Sequence, residues 1–220
     1  MLKYLVSIWL AAVTAVVFLA VPPAVGLGYA VRIMFFHIPA AWISVLGFLL
    51  AAWWAYRYLK TRDLRIYDKS SLAAKLGLAF CLAATVSGAI FAKLTWGAYW
   101  NWDPRQITIF ILLLIYGAFI TLELAISDAE QRAKISSVYA LLAFITVPFL
   151  VFIIPRFYQS LHPDDVIINS SGSINMDTLM LMVLMAALIG ITGLFVCLFQ
   201  HMLQSKRKKN LQEEAGFDII

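Results

Sequence analysis

Charged residues are scarce in this sequence. They make up 13% of its 220 residues, about half of the share that soluble globular domains carry. Apolar residues make up 63% of the chain, and the mean hydropathy is +0.87. A soluble domain of this size could not cover so much apolar surface, and a disordered chain would be polar and charged. We therefore expect a polytopic integral membrane protein.

Cysteine is also rare, and its placement excludes several kinds of chemistry. Cys81 and Cys197 lie far apart inside long apolar runs, and neither belongs to a Cys-x-x-Cys pair. This argues against disulfide exchange and structural zinc. The sequence has no Cys-x-x-Cys-His of a c-type cytochrome and no glycine-rich phosphate loop of an ATPase. Since no catalytic triad or hydrolytic metal cluster occurs either, we expect a protein that is not an enzyme in its own right.

Six charge-free stretches are long enough for a helix to cross a bilayer, which takes about 17–25 residues. They are residues 4–31, 33–56, 76–92, 106–122, 135–155 and 178–205. None alternates with a period of two, which excludes barrel strands, and Pro22-Pro23 should end or kink the first helix. The first stretch lacks an Ala-x-Ala cleavage site, so we interpret it as an uncleaved anchor. The sequence predicts an all-α protein, with residues 1–220 forming a single domain of six transmembrane helices.

Lysine and arginine are divided unequally between the two sets of connections. Thirteen lie with the termini, and only four, Arg32, Lys93, Arg105 and Arg156, lie on the opposite side. By the positive-inside rule, both termini and a tail at about residues 204–220 should be cytoplasmic. This bias explains the net charge of +5 better than nucleic-acid binding does. Outward loops are then expected at about residues 32–39, 95–106 and 156–177.

The second outward loop is dense in aromatic residues. Residues 94–105 read Leu-Thr-Trp-Gly-Ala-Tyr-Trp-Asn-Trp-Asp-Pro-Arg. Tryptophan and tyrosine collect at membrane interfaces, which accounts for one or two such residues in a loop. A row of flat faces beside Asp103 and Arg105 also suits a large, planar, anionic ligand. The residues alone leave both interpretations open.

Two of the three histidines fall on this same outer side. Pro39 suits the first turn of the second helix, which would place His37 at the outer mouth of that helix. His162 lies in the third outward loop, whereas His201 lies near the cytoplasmic end of the last span and is given no function. Neutral imidazole is a common axial ligand of heme iron, so His37 and His162 could close a six-coordinate site.

Each outward loop also keeps an arginine, although outward cations are disfavoured. Arg32 lies five residues before His37, Arg105 two after Asp103 and Arg156 six before His162. Arginine is a preferred bidentate partner for carboxylates such as the heme propionates. Anchoring to lipid phosphates would also explain an outward arginine, and Arg156 is the least convincing propionate partner of the three.

The stretch Trp96–Asp103 resembles the tryptophan-rich WWD signature of heme-handling proteins in cytochrome c maturation. Residues 32–41 and Leu161-His162 are similar to the histidine loops of the CcmC family of heme exporter proteins, which also has six spans. The resemblance implies that His37 and His162 are the axial iron ligands. It also implies that a second set of residues holds the macrocycle and its propionates: Trp96, Gly97, Trp100, Trp102, Asp103, Arg32 and Arg105.

The resemblance also implies a biological role. Such a protein holds heme b, as transported cargo, on the periplasmic side of the bacterial inner membrane. It presents the heme to the chaperone CcmE and works with the ABC-type subunits CcmA and CcmB and the small CcmD. Asp103-Pro104 is similar instead to the CcmF and CcsA branches, so related heme handling within those branches also fits. A non-heme membrane subunit with an interfacial aromatic loop and a quinone-using membrane enzyme are two competing hypotheses from different functional classes.

Overall fold

The computed structural model describes residues 1–162 and 176–217, with the side chains of the last helix described as far as residue 212. Six helices in it are long and apolar enough to cross a membrane, which confirms the predicted all-α, six-span architecture. They are α1 (Leu2–Leu19), α2 (Met34–Thr61), α3 (Leu64–Trp96), α4 (Pro104–Ala125), α5 (Ala129–Pro148) and α6 (Thr178–Phe217). A π-helical turn, Phe149–Ile153, and a short helix, Ile154–Phe157, continue α5.

The ends of the helices follow capping chemistry rather than the limits of the apolar stretches. α1 ends at Leu19, before Pro22-Pro23, as expected. α3 begins at Leu64, well before its charge-free stretch, because the carboxylate of Asp63 accepts a hydrogen bond from the backbone N–H of Arg65 at 2.9 Å. Likewise, most of the predicted tail at residues 204–220 continues α6. The rest of that tail, residues 218–220, lies outside the described residues, as do residues 163–175 of the third predicted loop.

The first outward segment differs from the expected loop at residues 32–39. A 3₁₀ turn, Tyr29–Ile33, leads directly into α2, so His37 lies on the helix and Pro39 lies inside it. Proline is compatible with this position because its fixed φ is helical and only one hydrogen bond near the helix start is lost. His37 is therefore fixed by a helix rather than carried on a loop.

Close helix packing forms the centre of the bundle. A Cβ atom added to Gly47 of α2 would lie 2.7 Å from the Cα atom of Gly77 of α3, so these two helices approach backbone to backbone. Beside this contact, the rings of Phe48 and Tyr116 stack with centroids 3.5 Å apart, and both residues are fully buried. These contacts join α2, α3 and α4 into a rigid support for the outer segments.

α1 packs antiparallel on α6. A Cβ atom on Gly190 would meet Leu10 at 2.6 Å, one on Gly193 would meet Val6 at 2.9 Å, and the indole N–H of Trp9 donates to the carbonyl of Ala186 at 2.9 Å. The start of α1 and the end of α6 therefore lie at the same end of the bundle, which we call the terminal end. The opposite end, called the histidine end, carries His37, Trp96 and His162.

A buried carboxylate ties the helices together near the terminal end. Glu123 of α4 is 6% exposed and accepts hydrogen bonds from the Tyr67 hydroxyl and, at 3.0 Å, from the Ser71 hydroxyl. The ammonium group of Lys75 lies 2.9 Å from the same carboxylate. Three residues on one face of α3 thus satisfy a charge that would be costly to bury alone.

Candidate functional site

Two capping residues define the loop that joins α3 to α4. Gly97 ends α3 with a φ of +84°, a left-handed conformation that glycine adopts without steric cost. Asp103 caps α4: its carboxylate accepts from the backbone N–H of Arg105 at 2.9 Å, and Pro104 occupies the first helical position. The loop between them, residues 97–103, carries most of the WWD signature and has a fixed path at both ends.

Side chains from the two flanking helices hold this loop. The Gln106 carboxamide, which is buried, accepts from the backbone N–H of Asn101 at 2.8 Å and donates to the carbonyl of Tyr99 at 3.3 Å. The Lys93 ammonium group donates to the carbonyl of Gly97 at 2.8 Å. The loop is therefore an ordered platform for its tryptophans.

Trp102 is held in an unusual conformation on this platform. Its φ is +56°, in the left-handed region that a bulky residue rarely adopts, and its side chain is 73% exposed. Its ring meets Trp100 edge-to-face with centroids 5.9 Å apart, and Trp100 meets Phe110 in the same way at 6.1 Å. Backbone strain of this kind concentrates at functional sites, and here it presents an exposed aromatic face.

His37 is fixed against α3 in one tautomer. Its Nδ1 atom lies 2.9 Å from the carbonyl oxygen of Ala84 and 3.2 Å from the hydroxyl of Ser87. A carbonyl oxygen only accepts hydrogen bonds, so Nδ1 carries the proton and Nε2 keeps its lone pair. The ring lies over Gly88, where an added Cβ atom would be 2.9 Å from Cε1. Any larger residue at position 88 would displace the imidazole.

His162 is fixed in the same tautomer by Asp103. Its Nδ1 atom lies 3.1 Å from Oδ1 of Asp103. The other carboxylate oxygen, Oδ2, accepts from the Ser160 hydroxyl at 2.8 Å and from the backbone N–H of Leu161 at 2.7 Å. The carboxylate therefore takes the Nδ1 proton and leaves Nε2 of His162 with its lone pair. The Trp96 ring meets the imidazole edge-to-face with centroids 4.9 Å apart.

The charges of these groups favour a neutral imidazole beside an ionised carboxylate. Burial alone would raise the pKa of Asp103, but hydrogen bonds from Leu161, Arg105 and Ser160, with the charge of His162, bring this pKa below its usual value. Burial lowers the pKa of His162; Asp103 opposes this, while the charges of Arg105 and His37 lower it further. The imidazole of His162 is thus neutral at neutral pH, and it lies near both Arg105 and His37.

The structure brings several of the predicted site residues together and leaves Arg32 apart from them. Trp96, Asp103, Arg105 and His162 come together where the loop after α3 meets the third outward segment, with His37 near enough to act on His162. Asp103 is 3% exposed and faces the histidine loop rather than an open surface. Arg32 is engaged elsewhere: its guanidinium donates to the carbonyl of Val21 at 3.0 Å and lies 4.3 Å from the ring centroid of Tyr29.

A cleft of about 210 Å³ opens beside this group. Its walls come from α2, from the start of α4 and from the π-helical turn after α5. Arg105 and Arg156 both line it, together with the apolar surfaces of Trp42 and Phe152, and we call it the Arg105–Arg156 cleft. Two cations from distant parts of the sequence thus share one partly apolar space.

Sequence reasoning missed the residues that orient the histidines. Ala84, Ser87 and Gly88 position His37, and Ser160 supports Asp103 opposite His162. The pair Ser87-Gly88 inside an apolar span was an available signal, since a polar residue beside a small one often marks a close contact between helices. The carbonyl of Ala84 leaves no signal in the sequence.

Comparison with known proteins decides among the heme-handling branches. The family model for CcmC, heme exporter protein C, matches residues 1–216. The chain belongs to the heme exporter protein C family. It is 31% identical over 198 residues to heme exporter protein C of Bradyrhizobium diazoefficiens, a match that covers 86% of this chain and 74% of that protein.

Two further relatives agree with membership of the heme exporter protein C family. A putative ccmC-like mitochondrial protein of cytochrome c biosynthesis from Marchantia polymorpha is 30% identical over 76% of the chain and 71% of its own length. Cytochrome c biogenesis protein CcsA of Arabidopsis thaliana is 32% identical, but over only 42% of this chain and 26% of its own. The match to the CcsA branch is therefore local, whereas the match to heme exporter protein C is nearly complete.

Proposed function

We propose that this protein holds heme between His37 and His162 and delivers it to a heme chaperone during cytochrome c biogenesis. Membership of the heme exporter protein C family supports a role in heme handling for that process. The observation that carries the site assignment is the shared tautomer of the two histidines. Each donates its Nδ1 proton to a fixed oxygen, which leaves Nε2 available for the iron.

The aromatic residues around the histidines suit the macrocycle. Trp96 meets His162 edge-to-face, and Trp100 and Trp102 form an edge-to-face pair on the loop capped by Gly97 and Asp103. Flat apolar faces beside a charged rim match a porphyrin with its two carboxylates. In this proposal Arg105 faces a propionate, and Arg32 contributes positive charge from the segment before α2. No covalent chemistry is assigned to the protein itself.

The proposed cellular setting follows from the charge distribution and the family. The excess of lysine and arginine at the terminal end supports a cytoplasmic position for that end, and a periplasmic position for the histidine end, in a bacterial inner membrane. There, heme b would pass to the chaperone CcmE, with CcmA, CcmB and CcmD completing an ABC-type complex. In this proposal the protein binds heme and presents it to the chaperone, rather than moving it across the membrane as a channel would.

Spectroscopy of the purified protein tests the axial ligands. His37→Ala and His162→Ala should each convert a six-coordinate heme spectrum to a five-coordinate or weakly bound one, and added imidazole should partly restore it. His201→Ala, on α6 and remote from the site, is the matched control and should leave the spectrum unchanged. Co-expression with CcmE should show less heme on the chaperone for the two site variants. An unchanged spectrum for either outward histidine would refute its assignment as an axial ligand.

A further inference from the structure

Arg156 has no part in the proposed axial site, yet it shares a cleft with Arg105. The two guanidinium groups come from residues far apart in sequence, one at the start of α4 and one in the short helix after α5. Like charges brought together repel unless an anion lies between them or water screens them. Both also lie at the histidine end, where the positive-inside rule disfavours cations. The cleft is therefore suited to an anionic group.

The backbone near Arg156 is irregular in a way that shapes this cleft. Pro155 has no N–H to donate, and the residues before it form a π-helical turn in which Ile154 donates to the carbonyl of Phe149. This turn supplies Phe152 to the wall of the cleft, and the Phe152 carbonyl accepts a hydrogen bond from the Arg156 guanidinium. The arginine is thus held at the rim, above an apolar wall.

The cleft lies close to the histidine site in the fold. Ala41 of α2 lines the cleft and lies one helical turn, about 6 Å along the axis, from His37 on the same face. On the other side, Arg105 lies two residues after Asp103, whose carboxylate is 3.1 Å from Nδ1 of His162. A molecule that lies between the two histidines could therefore place an anionic group in the cleft.

We propose that the Arg105–Arg156 cleft binds a carboxylate of the heme, and that Arg156 contacts this carboxylate together with Arg105. The inference rests on the proposed function and deepens it, because it makes the cleft the place where the ligand's acidic edge is recognised. The wall formed by Trp42 and Phe152, whose rings lie 6.0 Å apart, takes the apolar edge of the same ligand. An anionic phospholipid has similar chemistry, but nothing about it would couple the cleft to the histidines.

The test compares two ligands that differ only in charge at the propionates: heme and heme dimethyl ester. The wild-type protein should bind heme more tightly than the ester. Arg156→Ala should weaken heme binding about tenfold, near the lower limit for one hydrogen bond to a charged group, and leave ester binding unchanged. Arg156→Lys should recover part of the difference, since it restores the charge but not the planar pair of donors. Arg57→Ala, which removes an exposed arginine of α2 at the terminal end, is the control and should leave the binding of both ligands unchanged.

Each outcome has a distinct meaning. The inference is wrong if Arg156→Ala prefers heme over the ester as strongly as the wild type does. It is also wrong if this variant loses affinity for heme and for the ester to the same extent. If native mass spectrometry shows that Arg156→Ala instead loses a bound anionic phospholipid with heme selectivity intact, the cleft is a lipid site. If the wild-type protein gives no six-coordinate heme spectrum at all, the proposed function itself fails, which is a different result from normal ligation without selectivity.

Discussion

The contact between Asp103 and His162 gives the sharpest prediction. In Asp103→Asn, the amide oxygen can still accept from His162, but its NH₂ group would face the backbone N–H of Leu161, where the carboxylate now accepts at 2.7 Å. The variant thus loses the charge of the acceptor and places two donors against each other. Hydrogen bonds to charged groups contribute about 1.5–3 kcal/mol, and residues that support a metal ligand typically alter affinity about 10- to 100-fold. We expect heme affinity to fall by that factor, measured by optical titration.

The pH dependence separates this role from simple contact with the macrocycle. Axial ligation needs neutral imidazole, and the pKa of His162 is already below its usual 6.5, so affinity should be level at neutral pH and fall only in acid. Removing the Asp103 charge removes a group that favours the imidazolium form, which lowers this pKa further. The fall of heme affinity in acid should therefore occur at a lower pH in Asp103→Asn than in the wild type, although the overall affinity is weaker.

A matched control excludes a capping effect. Asp128 caps α5 at the terminal end, where its carboxylate accepts from the backbone N–H of Gln131 at 2.7 Å. Asp128→Asn makes the same chemical change at a helix start whose cap is bonded to Gln131 rather than to a histidine, and it should leave heme binding and its pH profile unaltered. Wild-type affinity in Asp103→Asn, or a heme affinity that falls at the same acid pH as in the wild type, would contradict the assignment of Asp103 as the residue that positions His162.

Three further predictions test the architecture. Gly88→Ala should displace His37 and weaken heme binding severalfold in titrations, whereas Gly117→Ala, with open space around its added Cβ atom, should not. Trp102→Gly and Trp102→Ala should lose heme affinity equally. The glycine variant should nevertheless be more stable than the alanine variant by about 1 kcal/mol, and so melt at a higher temperature, because glycine adopts the left-handed conformation at position 102 without strain. Glu123→Gln should lower the melting temperature and leave the heme spectrum unchanged; an altered spectrum would mean that the two ends of the bundle are coupled.

The sequence predicts the bundle well because burial in lipid depends on composition. Stretches without charge locate all six helices, and Pro22-Pro23 marks the end of the first. The prediction of a loop at residues 32–39 is wrong, since Pro39 is accommodated inside a helix that begins earlier. A local rule for proline could not foresee the 3₁₀ turn that leads into α2.

The candidate site is predictable in its residue types but not in its geometry. The WWD signature and the two histidines can be read from the chain, because the aromatic residues are denser than an interface needs and the nearby arginines lie where cations are disfavoured. The tautomer of His37 depends on a carbonyl 47 residues away, and that of His162 on a carboxylate 59 residues away. Such pairs exist only after α2 has packed on α3 and the outer segments have met.

The hydrogen bonds at the two Nδ1 atoms have a consequence for repeated use of the site. Neither bond involves the iron, so the imidazoles keep their orientation when no heme is present. If the two histidines bind heme as proposed, their ordering is completed during folding, and each heme meets a preorganised site. In the proposed site, departure of the heme breaks the two bonds to Nε2, the contacts with the porphyrin and those of the arginines with its carboxylates. The next heme would then bind without any further ordering of the two histidines.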